Sequence, residues 1–170
     1  MKSILHTCEP HPDILQGTFN PEIFTASLGQ VLTAYNRDSA LNTIYTDPEV
    51  FFREATYPTQ GLTSALLSVF GRISGNASFP AIQRLETAFG GGKTHSLIAM
   101  THIAKQGQKL APQLQDILPE QYLPEPGQVH VVGVAGDELP VHKPQGAELT
   151  PYTLWGEIAY QIGGEQLYRQ

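Results

Sequence analysis

The sequence predicts an α/β fold, in which a helical N-terminal lead-in feeds a parallel-sheet unit. Three observations carry this expectation. Apolar residues recur at helical spacing between capping signals through residue 78; short apolar runs replace them from residue 79; and three glycines followed by Lys-Thr stand between one such run and a further helical pattern. The expected division is a mostly helical segment at 1–78 and the first part of a sheet-bearing domain at 79–170.

Taken in order, the first twenty residues are polar and interrupted by Pro10, Pro12 and Gly17, an extended lead-in. Asn20 and Pro21 supply an N-cap and a first helical residue. Ile23, Phe24, Leu28, Val31 and Leu32 continue that helix to about Thr33. Thr46-Asp47-Pro48 gives a second start, leading into residues 49–54. A third begins near Thr59, with Leu62, Leu66, Val69, Phe70 and Ile73 as its apolar stripe and Gly75 as its stop.

Residues 81–86 follow Pro80 as a short strand ahead of the glycines. Leu97, Ile98, Met100, Ile103 and Ala104 then mark a helix ending near residues 105–107. Leu110, Leu114, Ile117 and Leu118 lie on one side of a short helix after it. Pro119, Pro124, Pro126 and Gly127 break the chain into a surface loop. Val129-His130-Val131-Val132-Gly133-Val134 is the strongest strand pattern present. A second loop passes through Pro140 and Pro144. Thr150-Pro151 opens a last helix carrying Leu154, Trp155, Ile158, Ala159 and Ile162, with Gly163-Gly164 as its stop.

Composition narrows the function. The chain has 170 residues, 41% apolar and 15% charged, which is ordinary for a globular protein with a real core. Its formal net charge is -6, and its ten Lys and Arg residues are scattered with no run of three. A groove for duplex DNA needs clustered cations, so direct nucleic-acid binding by this segment is not expected. The single cysteine, Cys8, forms no intrachain disulfide and no Cys-based zinc site. The N-terminus lacks the apolar core of a signal peptide, and no stretch approaches the ~20 apolar residues of a membrane helix. A cytoplasmic protein with no membrane contact is expected.

The chemistry lies in Gly90-Gly91-Gly92-Lys93-Thr94. A phosphate carries dense negative charge and several acceptor oxygens. A glycine-rich turn leading into a helix points successive backbone N–H groups at it, and the helix N-terminus adds partial positive charge. Glycine permits close approach and positive φ. Lys93 is placed to reach the β and γ phosphates of ATP, and the Thr94 hydroxyl to ligate Mg²⁺. Phe89, Gly90, Gly91, Gly92, Lys93 and Thr94 are the expected backbone donors. His95 falls in the first turn of the helix, where it packs or caps or else reaches a phosphate. With this composition, three glycines followed by Lys-Thr arise by chance in well under about one chain in a thousand. The common pattern G-x-x-x-x-G-K-[ST] is met at Gly92, Lys93 and Thr94, but Thr87 stands where its leading glycine would be. Thr87 is β-branched and resists positive φ.

The segment T-A-F-G-G-G-K-T-H-S-L-I-A, residues 87–99, resembles the P-loop of a family of large, poorly characterised prokaryotic ATPases of the AAA+ superfamily, often encoded among restriction and phage-defence genes. His11-Pro12-Asp13-Ile14-Leu15-Gln16-Gly17-Thr18-Phe19 resembles the family's opening. Asp47-Pro48-Glu49-Val50-Phe51-Phe52 and Thr59-Gln60-Gly61-Leu62 resemble its helices before the loop, and Leu154-Trp155-Gly156-Glu157-Ile158-Ala159 a later segment. The resemblance spans nearly the whole chain and includes threonine at position 87. It implies an incomplete P-loop NTPase core, the N-terminal part of a longer ATPase with other domains or subunits as partners. It also implies that Tyr57-Pro58-Thr59 lies near an adenine.

Hydrolysis further requires an acidic residue to hold Mg²⁺ through water, and often an arginine finger. Asp137-Glu138 follow the strand pattern but lie beyond it in a Pro-rich loop, as solvated acids; the resemblance places the acidic pair past residue 170. His6 and His11 flank Cys8 and Glu9 in the lead-in and read as solvated rather than metal-binding. Trp155 and Tyr160 are expected to pack in the core or against other domains. Two rival readings are a non-hydrolysing nucleotide-binding remnant or interaction module, and a P-loop kinase or transferase acting on a small molecule.

Overall fold

The computed structural model describes residues 9–10, 12–18, 25–37, 44–86, 88, 90–134, 151 and 153–170. Six α-helices follow one another among these: α1 (Pro12–Gln16), α2 (Leu28–Arg37), α3 (Pro48–Val50), α4 (Gln60–Ile73), α5 (Lys93–Gln106) and α6 (Leu154–Tyr168). A π-helical turn, Phe51–Ala55, extends α3, and two 3₁₀ segments, Gly107–Gln113 and Glu120–Tyr122, follow α5.

Local chemistry sets most of the starts. Asp47 caps α3 by accepting from the Glu49 and Val50 amides, both at 2.9 Å, with Pro48 at the first helical position. Thr59 caps α4 through the Leu62 amide, and Thr153 caps α6 through that of Gly156. Ser27 accepts from the Gln30 amide at the start of α2. Gly107, at φ 49°, ends α5.

The core is built around α5, which packs against α2 and α4. Ile98, Ala99, Ile103 and Ala104 of α5 meet Val31 of α2, Leu62, Leu66 and Phe70 of α4, and Phe51 and Phe52 of the π turn. Leu110, Leu114, Ile117, Leu118 and Leu123 close the far side. Fully burying a residue such as Leu66, Phe70 or Ile98 contributes roughly 1.5–3 kcal/mol. Because α5 is surrounded, its burial is not confined to one stripe: Thr101 and His102 are buried too, while Leu97 is 40% exposed.

The expected sheet is absent: among the described residues there is no strand, and so they form no parallel-sheet P-loop core. A strand exists through the hydrogen bonds of a neighbour, and neither candidate has one. Residues 81–86 run irregularly over the surface, with Ile82 88% exposed and the Gln83 carboxamide on the Ser68 hydroxyl of α4. Residues 129–134 are irregular as well, and Val129 and Val131 pack partly against the core. The Gly133 amide and carbonyl are instead met by the side chain of Gln161 on α6, at 3.0 and 2.8 Å. One carboxamide satisfies both groups of a glycine that a strand would otherwise pair.

Other elements shift by smaller amounts. Residues 12–16 are helical, not extended. The helix expected from Asn20 to Thr33 is seen from Leu28 to Arg37, its predicted start lying outside the described residues. The last helix starts at Leu154 rather than Pro151, and the backbone leaves helical geometry at Gly163 and Gly164, where the stop was expected, before a second helical stretch runs on to Tyr168. No helix among the described residues is long and apolar enough to cross a membrane.

Candidate functional site

The glycine turn is held by one acceptor. The Ala88 carbonyl receives the Gly91 amide at 3.1 Å and the Lys93 ammonium at 3.1 Å. Gly90 and Gly92 have φ of 79° and 75°, the left-handed region that glycine enters without steric cost. The tight turn therefore explains both glycines, and the space over them is open: a Cβ at either position would meet nothing within 4 Å.

Gly92 is the N-cap of α5 and offers no side chain to its first turn. Helices α2, α3, α4 and α6 each have a Ser, Thr or Asp there. The first helical hydrogen bond of α5 runs from the Ser96 amide to the Gly92 carbonyl at 2.9 Å, and Ser96 Oγ donates to the same oxygen. The amides before Ser96 have no acceptor within the helix and sit at the positive end of its dipole. Thr94, the second residue of α5, is exposed.

The turn opens into a cleft of about 440 Å³. Gly90, Gly91, Gly92, Lys93, His95 and Ser96 line one side of it. Tyr57, Thr59, Gly61, Leu62 and Ala65, from the start of α4 and the residues before it, line the other with Leu85. Folding thus brings the Tyr57 segment and the glycine turn to one opening, although more than thirty residues separate them in the chain.

His95 faces both the cleft and the core. Thr56 Oγ1 donates to the Phe51 carbonyl at 2.8 Å, so its lone pair accepts from His95 Nε2–H at 3.1 Å. The imidazole also lies on Phe51, ring centroids 4.6 Å apart, with Tyr45 edge-on at 6.4 Å. Burial pushes its pKa below the ordinary 6.5, favouring the neutral ring. Two turns further along α5, His102 repeats the arrangement. Its Nε2–H donates to the Tyr45 carbonyl at 2.8 Å, leaving Nδ1 to accept the Tyr35 hydroxyl at 2.7 Å. Burial lowers the His102 pKa to about 4 and raises that of the Tyr35 phenol to about 12.

Of the residues singled out in the sequence, the structure gathers Gly90, Gly91, Gly92, Lys93 and His95 at the cleft, with Thr94 on the adjoining helix turn and Tyr57 opposite. Phe89 and Thr87 lie outside the described residues, as do Asp137, Glu138, His6, Cys8 and His11. Trp155 is 76% exposed on α6 rather than packed in the core. Sequence reasoning missed Thr56, Leu62 and Ala65 as parts of the site, and His102 as a buried anchor. The seven-residue spacing of His95 and His102, which puts both on one helical face, was the available signal. Nothing in the sequence pairs His95 with Thr56.

A family model described as the DUF499 N-terminal domain matches residues 9–169. No curated protein and no solved structure matches the chain.

Proposed function

The chain belongs to the DUF499 N-terminal domain family, and we propose, on the geometry of its glycine turn, that the turn binds the phosphates of Mg-ATP, as the N-terminal portion of an AAA+-like ATPase acting in phage defence. The observation that carries this reading is the start of α5. A 14-residue helix opens at an uncapped glycine, beside exposed Gly90 and Gly91, with the Lys93 ammonium folded back over the same turn. First-turn amides with no acceptor in the helix, a helix dipole and an ammonium group meeting at a concave surface make an anion site.

In this reading the turn from Gly90 to Thr94 cradles the phosphates, and the Gly91 amide and the Lys93 ammonium exchange their bonds to the Ala88 carbonyl for phosphate oxygens, Lys93 reaching the β and γ oxygens. The exposed Thr94 hydroxyl would offer a ligand to Mg²⁺. The metal neutralises charge on the phosphates when bound. The wall formed by Tyr57, Leu62, Ala65 and Leu85 suits a flat apolar base. His95, hydrogen-bonded to Thr56, borders the site more than it enters it.

A second reading, nucleotide binding without turnover, is favoured by one observation. Among the described residues that line the cleft there is no Asp or Glu to place an attacking water. Hydrolysis would need that group, and an arginine, from another segment or subunit. Calorimetric titration with Mg-ATP and a phosphate-release assay, each run on the chain and on Lys93→Ala, separate the readings. Binding at least about tenfold weaker in the variant is expected. Release abolished by the substitution supports an ATPase, and binding without release supports the module. Equal affinity in both proteins removes the phosphate site altogether.

A further inference from the structure

We propose that His95 is a positioning residue that joins the two walls of the cleft through Thr56, and so sets the gap that a nucleoside phosphate spans. The inference rests on the phosphate-binding reading above and deepens it: the ligand class is one with a base at a fixed distance from its phosphates, not a bare polyphosphate.

The turn and the Tyr57 wall belong to different parts of the chain. The turn is carried by α5, whereas Tyr57 follows the π turn Phe51–Ala55 and precedes α4. Thr56 stands between the π turn and Tyr57. Its hydroxyl is fixed on one side by the Phe51 carbonyl at 2.8 Å and on the other by His95 Nε2 at 3.1 Å. His95 is the third residue of α5, next to the Lys93-Thr94 pair. A short relay therefore runs from the phosphate end of the cleft, through His95 and Thr56, to the neighbour of Tyr57. Phe51 stiffens it, lying against His95 at 4.6 Å and His102 at 5.1 Å. His102 anchors the preceding stretch of the same segment at the Tyr45 carbonyl.

A ligand that touches only the turn does not sense this relay. A ligand that touches both walls loses affinity when the walls drift apart, because one of its ends then goes unmatched. The probes are Mg-ATP and inorganic magnesium tripolyphosphate, titrated calorimetrically into the whole chain, with thermal melting of every variant. His95→Leu and Thr56→Val each remove the hydrogen bond, and each is expected to weaken Mg-ATP about tenfold while changing tripolyphosphate by less than about twofold. The double variant is expected to bind Mg-ATP no more weakly than either single one, since both break the same link. His95→Gln, whose amide places a donor near Nε2, is expected to recover most of the loss. If His95→Leu melts early, Thr56→Val, nearly isosteric with threonine, carries the comparison. Equal weakening of both ligands, or losses that add in the double variant, overturns the positioning role. Failure of the underlying reading looks different: the unsubstituted chain binds neither probe, or Lys93→Ala leaves tripolyphosphate binding unchanged.

Discussion

Lowering the pH from about 7.5 to about 4.5 is expected to destabilise this protein through His102. The side chain is 0% exposed, and both ring nitrogens are satisfied in the neutral tautomer, Nε2–H by the Tyr45 carbonyl and Nδ1 by the Tyr35 hydroxyl. Burial pushes the pKa down from 6.5 to about 4, against smaller upward pulls from the Tyr45 hydrogen bond and the Asp47 charge. The native state therefore holds fewer protons than the unfolded chain between these values. Stability from this residue is complete above about pH 6.5 and falls as the pH drops toward 4, where the loss levels off. A fall from 6.5 to about 4 corresponds to a full loss of about 3 kcal/mol, somewhat under half of it gone by pH 5.5 and most of it by pH 4.5. That is a sizeable part of the 5–15 kcal/mol typical of a domain. Urea denaturation at a series of pH values, for the chain and for His102→Gln, measures it. The variant is expected to start less stable but to lose about 2 kcal/mol less across the window, His95 continuing to contribute in the same direction. Parallel curves for the two proteins, or a His102 ring resonance titrating near 6.5, would refute the reasoning.

Gly107→Ala is expected to cost about 3 kcal/mol or more, because φ is 49° there and a Cβ would sit on the Pro124 carbonyl oxygen, well inside contact distance; a melting-derived loss under about 1 kcal/mol contradicts this. Gly92→Ala meets open space, so it should cost only the ~1–2 kcal/mol of a non-glycine residue at positive φ. It should weaken Mg-ATP binding by more than about tenfold, because the turn that aims the amides then relaxes. Melting and calorimetry on the same preparation show whether the two effects separate as expected.

The helical half of the fold was legible because its signals are local. Thr59, the stripe of Leu62, Leu66 and Phe70, and the stop at Gly75 predict α4 to within a residue. Asp47-Pro48 announces α3, though no propensity foretells that its continuation widens into a π turn, which packing of Phe51 and Phe52 accompanies. The strands failed for the opposite reason. An apolar β-branched run such as Val129 to Val134 states that a segment is to be buried, not what will bury it, and here Gln161 and α2 take the place of neighbouring strands. At the site, the turn glycines and Lys93 were readable from spacing, since adjacent residues do the work. The opposite wall was visible only in part, through Tyr57. The His95–Thr56 link joins residues 39 apart and exists only once the core has formed.

The uncapped start of α5 has a consequence for the molecule as a whole. The helix that begins in the open cleft is also the one around which the core is assembled. Whatever occupies its first turn thus acts on the entire folding equilibrium, not on a peripheral loop. An anion present at a hundred times its dissociation constant would add about 2.7 kcal/mol to the native state by mass action. In such an arrangement the concentration of a small metabolite becomes a thermodynamic variable of the architecture itself.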